Sequence, residues 1–426
     1  MASLALVGGT KLLQQRLGVS WPIIEELDRK LVAEALESRK WFRHSPEKSE
    51  SKVFQFEQAF AKFQDAGYAV ATTNGTTALE CALKAAGVEA GDEVLVSTIT
   101  FIASVTSILL VNAIPVFADV DPSNWNISPA ACEAAITPRT KAIMAVDHAG
   151  IPCDMDALNA LHDKYGVTII SDCAHAHGSQ WKGKGVGALG QIGAFSFQQG
   201  KTLSTGEGGM VMTNDPELAQ SAGSVHDFGR REGQGLYRHY RLASNLRMHE
   251  MQGALGLAQL TRLESQVKHR EAQIAYLEAG IKQIDGIEPL VRDPRVTRFS
   301  FYYYPFRFVS EKFDGVRRGT FLEAMGAEGV GCWTGHVEPL WKQPLFTEGH
   351  FGQTGCPLTC PFHGEKPDYS KVHLPEAERI GAKEACAFSH AMFLGPRSDM
   401  DKILDTMRKV RAHTDELLAY ERDKGS

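Results

Sequence analysis

The stretch I-G-A-F-S-F-Q-Q-G-K-T-L-S-T-G-E-G-G, residues 192–209, joins a strand signal to a turn that carries a lysine. The run Ile192–Phe197 is apolar except for Gly193 and Ser196, the pattern of a buried strand. Lys201 follows on a turn, and behind it come Gly206, Gly208 and Gly209. An amine held on such a turn inside a dry pocket has a lowered pKa and becomes a usable nucleophile. An arbitrary lysine, by contrast, sits in solvent on a flexible loop. The company that Lys201 keeps along the chain separates the two readings.

Upstream of this stretch, short apolar runs alternate with helical patterns. Tyr68–Thr72, Glu93–Ser97, Ile114–Val120, Ala142–Val146 and Thr168–Ser171 read as strands. Thr77–Ala86, Phe101–Val111, Ser128–Ile136 and Met155–Tyr165 read as helices between them. Such alternation predicts βαβ units, hence an α/β fold with a mostly parallel sheet covered by helices. Ligands on these sheets bind where strands end and loops begin. Farther out, residues 1–20 look like an irregular arm, followed by helices over Pro22–Ser38 and Val53–Phe63. A long helix from Glu250 to about Ile284 leads into a smaller C-terminal domain. That domain holds an aromatic strand, Phe299–Phe308, and helices near Arg317–Met325 and Asp399–Arg422. Trp333–Leu374 shows no period and reads as a long loop at the surface or the active site. The expected division is 1–270 for the arm and large domain and 271–426 for the small one.

A chain of 426 residues is too long for one ordinary core. With 43% hydrophobic and 23% charged residues and a net charge of -6, it argues against nucleic acid or an acidic membrane as partner. No run reaches the ~18 apolar residues of a membrane span, and Met1–Gly9 lacks the features of a secretory signal. The eight cysteines form no framework, and Cys356 and Cys360 have no second pair with zinc spacing. A cytoplasmic protein without a metal is the expectation.

Four further segments combine with Lys201. N-G-T-T-A-L at Asn74–Leu79 is a Gly-Thr turn opening a helix, whose free N–H groups and partial positive charge suit a phosphate. T-F-I-A at Thr100–Ala103 places Phe101 at a strand end, where it could stack on an aromatic ligand. I-I-S-D-C-A-H-A-H-G at Ile169–Gly178 puts Asp172 at the end of an apolar strand, where a carboxylate needs a cation or donors. His175 follows within reach of a ring hydroxyl. S-N-L-R-M-H-E-M-Q-G-A at Ser244–Ala254 carries Asn245 and Arg247 where a helix start needs a single cap. Each segment alone reads as a cap or a core residue. Together, in the order phosphate turn, stacking aromatic, carboxylate, lysine, they describe a pyridoxal 5'-phosphate site. In it Lys201 is the Schiff-base lysine, Asp172 faces the pyridine nitrogen and Phe101 covers the ring. Gly75, Thr76, Thr77 and Ser196 surround the phosphate.

The chain resembles the DegT/DnrJ/EryC1/StrS family of PLP-dependent sugar and cyclitol aminotransferases, from Leu4 to the last helix. The matching motifs include N-G-T-T-A-L, G-D-E-V-L-V-S-T-I-T-F at Gly91–Phe101, D-V-D-P at Asp119–Pro122, I-T-P-R-T-K-A-I at Ile136–Ile143, D-C-A-H-A-H-G and N-L-R-M-H-E-M-Q. The resemblance implies PLP-dependent transferase fold type I: a large domain with a seven-stranded, mostly parallel sheet and a smaller C-terminal α+β domain. It also implies a homodimer with shared active sites, in which Asn245 reaches the neighbouring subunit's phosphate. S-F-Q-Q-G-K at Ser196–Lys201 is similar to the branch of glutamine:scyllo-inosose and 2-deoxy-scyllo-inosose aminotransferases and 3-amino-5-hydroxybenzoate synthase. Ser45–Lys52 departs from the glycine-containing loop usual in that branch. Related dehydratases carry histidine where Lys201 stands, so lysine favours transamination.

The function so implied is ping-pong transfer of an amino group from L-glutamine, L-glutamate or L-alanine to a keto-cyclitol such as scyllo-inosose. Arg230, Arg231 and Arg247 are candidates for the donor carboxylate, and His148 and His390 for the acceptor pocket. The alternatives are a nucleotide-linked keto-sugar as acceptor, a 3-amino-5-hydroxybenzoate-synthase-like reaction, and a non-catalytic partner subunit.

Overall fold

A computed structural model describes residues 3–44, 47–235 and 237–425. Ser45 and Pro46, in the departing Ser45–Lys52 loop, lie outside the described residues. The large sheet is built from β1 (Tyr68–Thr72), β2 (Glu93–Ser97), β3 (Ile114–Ala118), β4 (Thr140–Val146), β5 (Thr168–Asp172), β6 (Ile192–Ser196) and β7 (Gly209–Thr213), in the order β1-β7-β6-β5-β4-β2-β3. Most of these strands are buried along nearly their whole length, as both faces are covered. Strand β7 alone runs against its neighbours. The lysine turn holds no helix that could carry a crossover, and it joins β6 to an antiparallel partner. The glycines behind Lys201 are thus in part the start of a strand. Gly209 must be glycine, because a Cβ there would stand 2.2 Å from the Asn74 carbonyl oxygen.

Side chains alternate across the pleat and feed three cores, one of them where Leu95, Ile143 and Ile169 meet α5 (Pro129–Ala135) and α6 (Met155–Tyr165). Val94, Val96, Met144, Ile170 and Ala194 meet α3 (Gly75–Ala85), α4 (Ala103–Leu110) and α7 (Pro216–His226). On the opposite face, Phe195 and Phe197 pack on Phe56 and Phe60 of α2 (Lys52–Phe63) and on Leu263 and Val267 of α8 (Glu250–Ile281). Gly253 and Gly256 let α8 approach that closely, since a Cβ would meet Val53 N at 2.5 Å and the Phe56 ring at 2.7 Å respectively. Beneath the lysine turn, therefore, lies a rigid aromatic bed.

Several boundaries differ from those expected. Helix α1 runs over Glu26–Glu37 and not from Pro22, because Glu25 and Asp28 form a capping box that sets its start. The aromatic strand, β9 (Tyr303–Phe308), begins later than Phe299 and pairs on one side with β8 (Ile287–Pro289) and on the other with β10 (Ala385–Ser389). The expected last helix is two, α10 (Arg397–Arg411) and α11 (Thr414–Asp423), broken at His413, whose backbone is non-helical (φ -123°, ψ 33°). Between α9 (Arg318–Glu328) and β10, the aperiodic stretch 333–374 is mostly irregular and fastened to the large sheet. Leu340 N donates to Thr98 Oγ1 (2.9 Å), Tyr369 Oη to the Pro115 carbonyl (2.9 Å), and His363 Nε2 lies 3.0 Å from Glu93 Oε1. Among the described residues, no helix is long and apolar enough to cross a membrane.

Candidate active site

The C-terminal ends of β5 and β6, the start of α3 and the loop before α4 converge on one cavity of about 600 Å³. Gly75, Thr76, Thr77, Phe101, Asp172, His175, Ser196 and Lys201 all line it. These are eight of the residues expected from the sequence.

Helix α3 begins at a tight cap. The Asn74 side chain accepts from Thr77 N (2.9 Å), and the Thr77 hydroxyl closes the capping box. The Gly75 and Thr76 N–H groups, in the first helical turn, have no carbonyl within the helix to bond. Both residues line the cavity, at the positive end of the helix dipole. Ser196 presses against this turn so closely that a Cβ at Gly75 would lie 2.5 Å from Ser196 Cβ. The result is a cradle of N–H groups and a hydroxyl, the donor set a phosphate requires.

Asp172 is only 5% exposed. Its carboxyl accepts from Ser104 Oγ (2.7 Å) and Ala174 N (3.1 Å), and Ser104 is itself held by Thr100 Oγ1 (2.7 Å). Burial pushes the Asp172 pKa up, against these two donors and the charge of Lys201. Burial likewise brings the Lys201 amine down to about 8, with Asp172 opposing. Each group is thus incompletely compensated by the other, and among the described residues no cation forms an ion pair with the carboxylate. A protonated ring nitrogen is such a cation, so the residues present fit pyridoxal phosphate.

Lys201 Nζ lies 4.2 Å from the centroid of Tyr302, whose ring stacks on His175 (4.4 Å, 24°). His175 Nδ1 accepts from Ala149 N (3.3 Å), which leaves Nε2 as the protonated nitrogen. Burial keeps this imidazole neutral. Phe101, half exposed, meets the edge of His336 (5.4 Å) at the mouth, where Gln198 and Glu207 also line the wall. The rate at which a small acylating reagent modifies Lys201 in cofactor-free protein should rise with pH through a midpoint near 8. Peptide mass spectrometry reads this, and a midpoint at the ordinary lysine value would mean that the pocket is wet.

Other candidates lie elsewhere. Asn245 is exposed, and its Oδ1 accepts from Arg247 N (3.3 Å). Arg247 is paired with Asp227, packs on Phe42 and Phe228, and does not line the cavity. Arg230 also pairs with Asp227 (3.3 Å), and Arg231 lies over Tyr240. His148 is buried behind the cavity, 3.1 Å from Tyr303 Oη, and His390 is buried beneath the lysine turn. Neither lines the cavity. Ser104, Tyr302, His336, Gln198 and Glu207 escaped the sequence reading as site residues. For Ser104 a signal existed, a hydroxyl one residue past T-F-I-A. Tyr302 was visible only as part of an aromatic strand, and His336 sits in the stretch without a period.

The family model of DegT/DnrJ/EryC1/StrS aminotransferases matches residues 22–375. The chain is 39% identical over 360 residues (84% of this chain, 85% of the other) to a Micromonospora echinospora protein with the provisional name L-glutamine:3-amino-2,3-dideoxy-scyllo-inosose aminotransferase. It is 34% identical over 433 residues (98% and 100%) to the L-glutamine:2-deoxy-scyllo-inosose aminotransferase of the same organism. The crystal structure of 3-amino-5-hydroxybenzoic acid synthase superposes with a TM-score of 0.82 at 31% identity, covering 93% of this chain and 99% of that one.

Proposed function

Because the chain belongs to the DegT/DnrJ/EryC1/StrS aminotransferase family, we propose that it carries an amino group from L-glutamine to the ketone of an inosose-type carbocycle, with pyridoxal 5'-phosphate bound at Lys201. The observation behind the cofactor assignment is that a depressed-pKa lysine and a buried carboxylate face one cavity with a helix N-terminus at its wall. When bound, the cofactor supplies an electron-withdrawing ring that stabilises charge after a proton leaves the donor Cα.

The chain's own groups do the rest. The Gly75 and Thr76 N–H groups and the Ser196 hydroxyl hold the phosphate, with Thr77 fixing the turn. Asp172 keeps the pyridine nitrogen protonated, and Ser104 keeps Asp172 aimed. His175, neutral and protonated on Nε2, is placed to donate to the ring hydroxyl, and Phe101 covers the ring. The Lys201 amine, held neutral by burial, would carry the proton that leaves the donor Cα and, in the second half-reaction, would supply one to the carbon that was the acceptor's ketone. A homodimer, with Asn245 reaching the neighbouring subunit's phosphate, is part of the same reading.

For the acceptor, the cavity's charge supports the inosose class. Of the described residues lining it, Lys201 is the one lysine or arginine. A diphosphate-linked sugar is best held by arginine or lysine clamps. Gln198, Glu207 and His336 instead offer hydrogen bonds suited to a neutral, hydroxyl-rich ring.

Gly75→Ala should weaken the phosphate cradle by forcing Ser196 away. An overpacking cost of ~1–3 kcal/mol corresponds to a roughly 5- to 150-fold higher Kd for pyridoxal phosphate. A fluorescence titration reads it, and unchanged affinity would remove the α3 turn from the site. The substrate assignment is tested with cofactor-loaded protein, L-glutamine and a panel of scyllo-inosose, its 2-deoxy analogue and a nucleotide-linked 4-keto-sugar. Mass spectrometry should find the new amine on an inosose; amination of the nucleotide sugar alone would overturn the acceptor and leave the transaminase chemistry standing.

A further inference from the structure

The peptide between Gly200 and Lys201 is held from several sides. Its carbonyl lies 3.0 Å from His390 Nε2, and its N–H donates to the Gln198 carbonyl (2.8 Å). One residue earlier, Gly200 N donates to Gln198 Oε1 (2.7 Å), and the Gln199 carbonyl accepts from Trp21 Nε1 (2.9 Å). Trp21 meets His390 edge-on at 4.7 Å and 86°.

Behind His390 stands Arg270 of α8, fully buried, with Nη2 3.2 Å from His390 Nδ1. A guanidinium can only donate, so Nδ1 is the acceptor and Nε2 carries the hydrogen that a carbonyl must receive. The chain of bonds thus has one possible direction: Arg270 to His390 to Gly200. Among the described residues no carboxylate pairs with Arg270, its Nε and Nη1 have no hydrogen-bond acceptor, and its guanidinium lies over the Trp21 ring at 5.7 Å. An unpaired buried cation is costly, and here its one side-chain hydrogen bond sets the tautomer of the histidine that grips the lysine turn. Burial lowers the His390 pKa, and the nearby guanidinium lowers it further, so the ring stays neutral.

We propose that Arg270 and His390 are positioning residues that fix the Gly200–Lys201 peptide plane and so aim the Lys201 amine between Tyr302 and Asp172. Neither residue lines the cavity, which separates this role from contact with the acceptor. The inference rests on the reading of Lys201 as the reactive lysine.

The test uses the cofactor-loaded enzyme with four substitutions. Glutamine can donate from Nε2 to Gly200 and accept from Arg270, whereas leucine can do neither. His390→Leu should lower kcat on the order of 100-fold, the scale of a misplaced reacting group, with KM for both substrates within about threefold of wild type. His390→Gln should recover to within about tenfold of wild type. Arg270→Met should reproduce the kcat loss of His390→Leu, Arg270→Lys should restore part of it, and the double variant should be no worse than the poorer single one, as expected for one shared path.

Circular dichroism checks the fold of each. If His390→Leu does not fold, the Arg270 pair and the acylation rate of Lys201 in cofactor-free Arg270→Met carry the test, slower acylation being expected. Equal losses in His390→Leu and His390→Gln, a rise in acceptor KM at unchanged kcat, or a fully active Arg270→Met would each overturn the proposal. Borohydride reduction and peptide mapping of the wild type separate the two levels. Cofactor on Lys201 with indistinguishable variants sinks the positioning role alone, while cofactor elsewhere takes down the reading beneath it as well.

Discussion

Lys201→Ala is expected to lower turnover by at least about 10⁴-fold, since in the proposed mechanism one amine serves as nucleophile and as proton carrier. The fold should survive. Lys201 is 8% exposed and its amine is held down to about 8 by burial, so its charge is a burden on the folded state. Unfolding of the cofactor-free variant should therefore occur at the same temperature as wild type or higher. The same protein should bind pyridoxal phosphate without the absorbance band of covalent capture. Turnover within tenfold of wild type would remove Lys201 from the mechanism.

Asp172→Asn carries the second largest expectation, a loss on the order of 10³-fold in kcat, as for removal of a preorganised charge in a dry site. Asparagine is isosteric: its Oδ1 can keep accepting from Ala174 N, while its NH2 stands where Oδ2 was and the Ser104 hydroxyl turns to accept from it, so the shape stays while the charge goes. The ring nitrogen then has no anion to keep its proton. Stability should move the other way. Burial raises the folded pKa of Asp172 above its unfolded value, so the folded state binds the proton more tightly. Wild type consequently loses that contribution as pH rises from the ordinary carboxylate value through the raised one, and the asparagine variant does not. A denaturant series running from just below the ordinary carboxylate value to pH 8 would show the difference between the two proteins widening as pH rises. Equal activity of the two proteins would refute the role of Asp172.

Much of this site could be read before any coordinates because its parts are local. Gly75 opens the helix after β1, Asp172 ends β5, and Lys201 follows β6; each is fixed by the strand just before it. Residues that arrive from the other part of the chain carry no such marker. Tyr302 lies just before β9, and nothing in its apolar run says which ring turns toward the lysine. His336 sits in a segment whose shape is set by scattered anchors on Thr98, Pro115 and Glu93. His148 and His390 illustrate the converse. A histidine near a strand end can line a cavity or stand one layer behind it, and both stand behind. Arg247 was legible as a cation at a helix start; its commitment to Asp227 was not, because the two are joined through a bridge between distant loops. Strand β7 was hidden by its glycines, which serve a close backbone approach and a turn together.

The contacts that hold the lysine turn also constrain the order in which the protein can mature. Trp21 and Gln199 are 178 residues apart in sequence, and Gly200 and His390 are 190 apart. Closing loops of that length is entropically slow, and such non-local contacts form late in folding. Strands β2 to β5 can pair with one another while the rest of the chain is still emerging from the ribosome. The turn that aims the amine cannot be completed until the first and last parts of the chain have met. Covalent capture of the cofactor is then a marker of finished molecules, and a chain stalled before residue 390 would hold a formed sheet and an idle lysine.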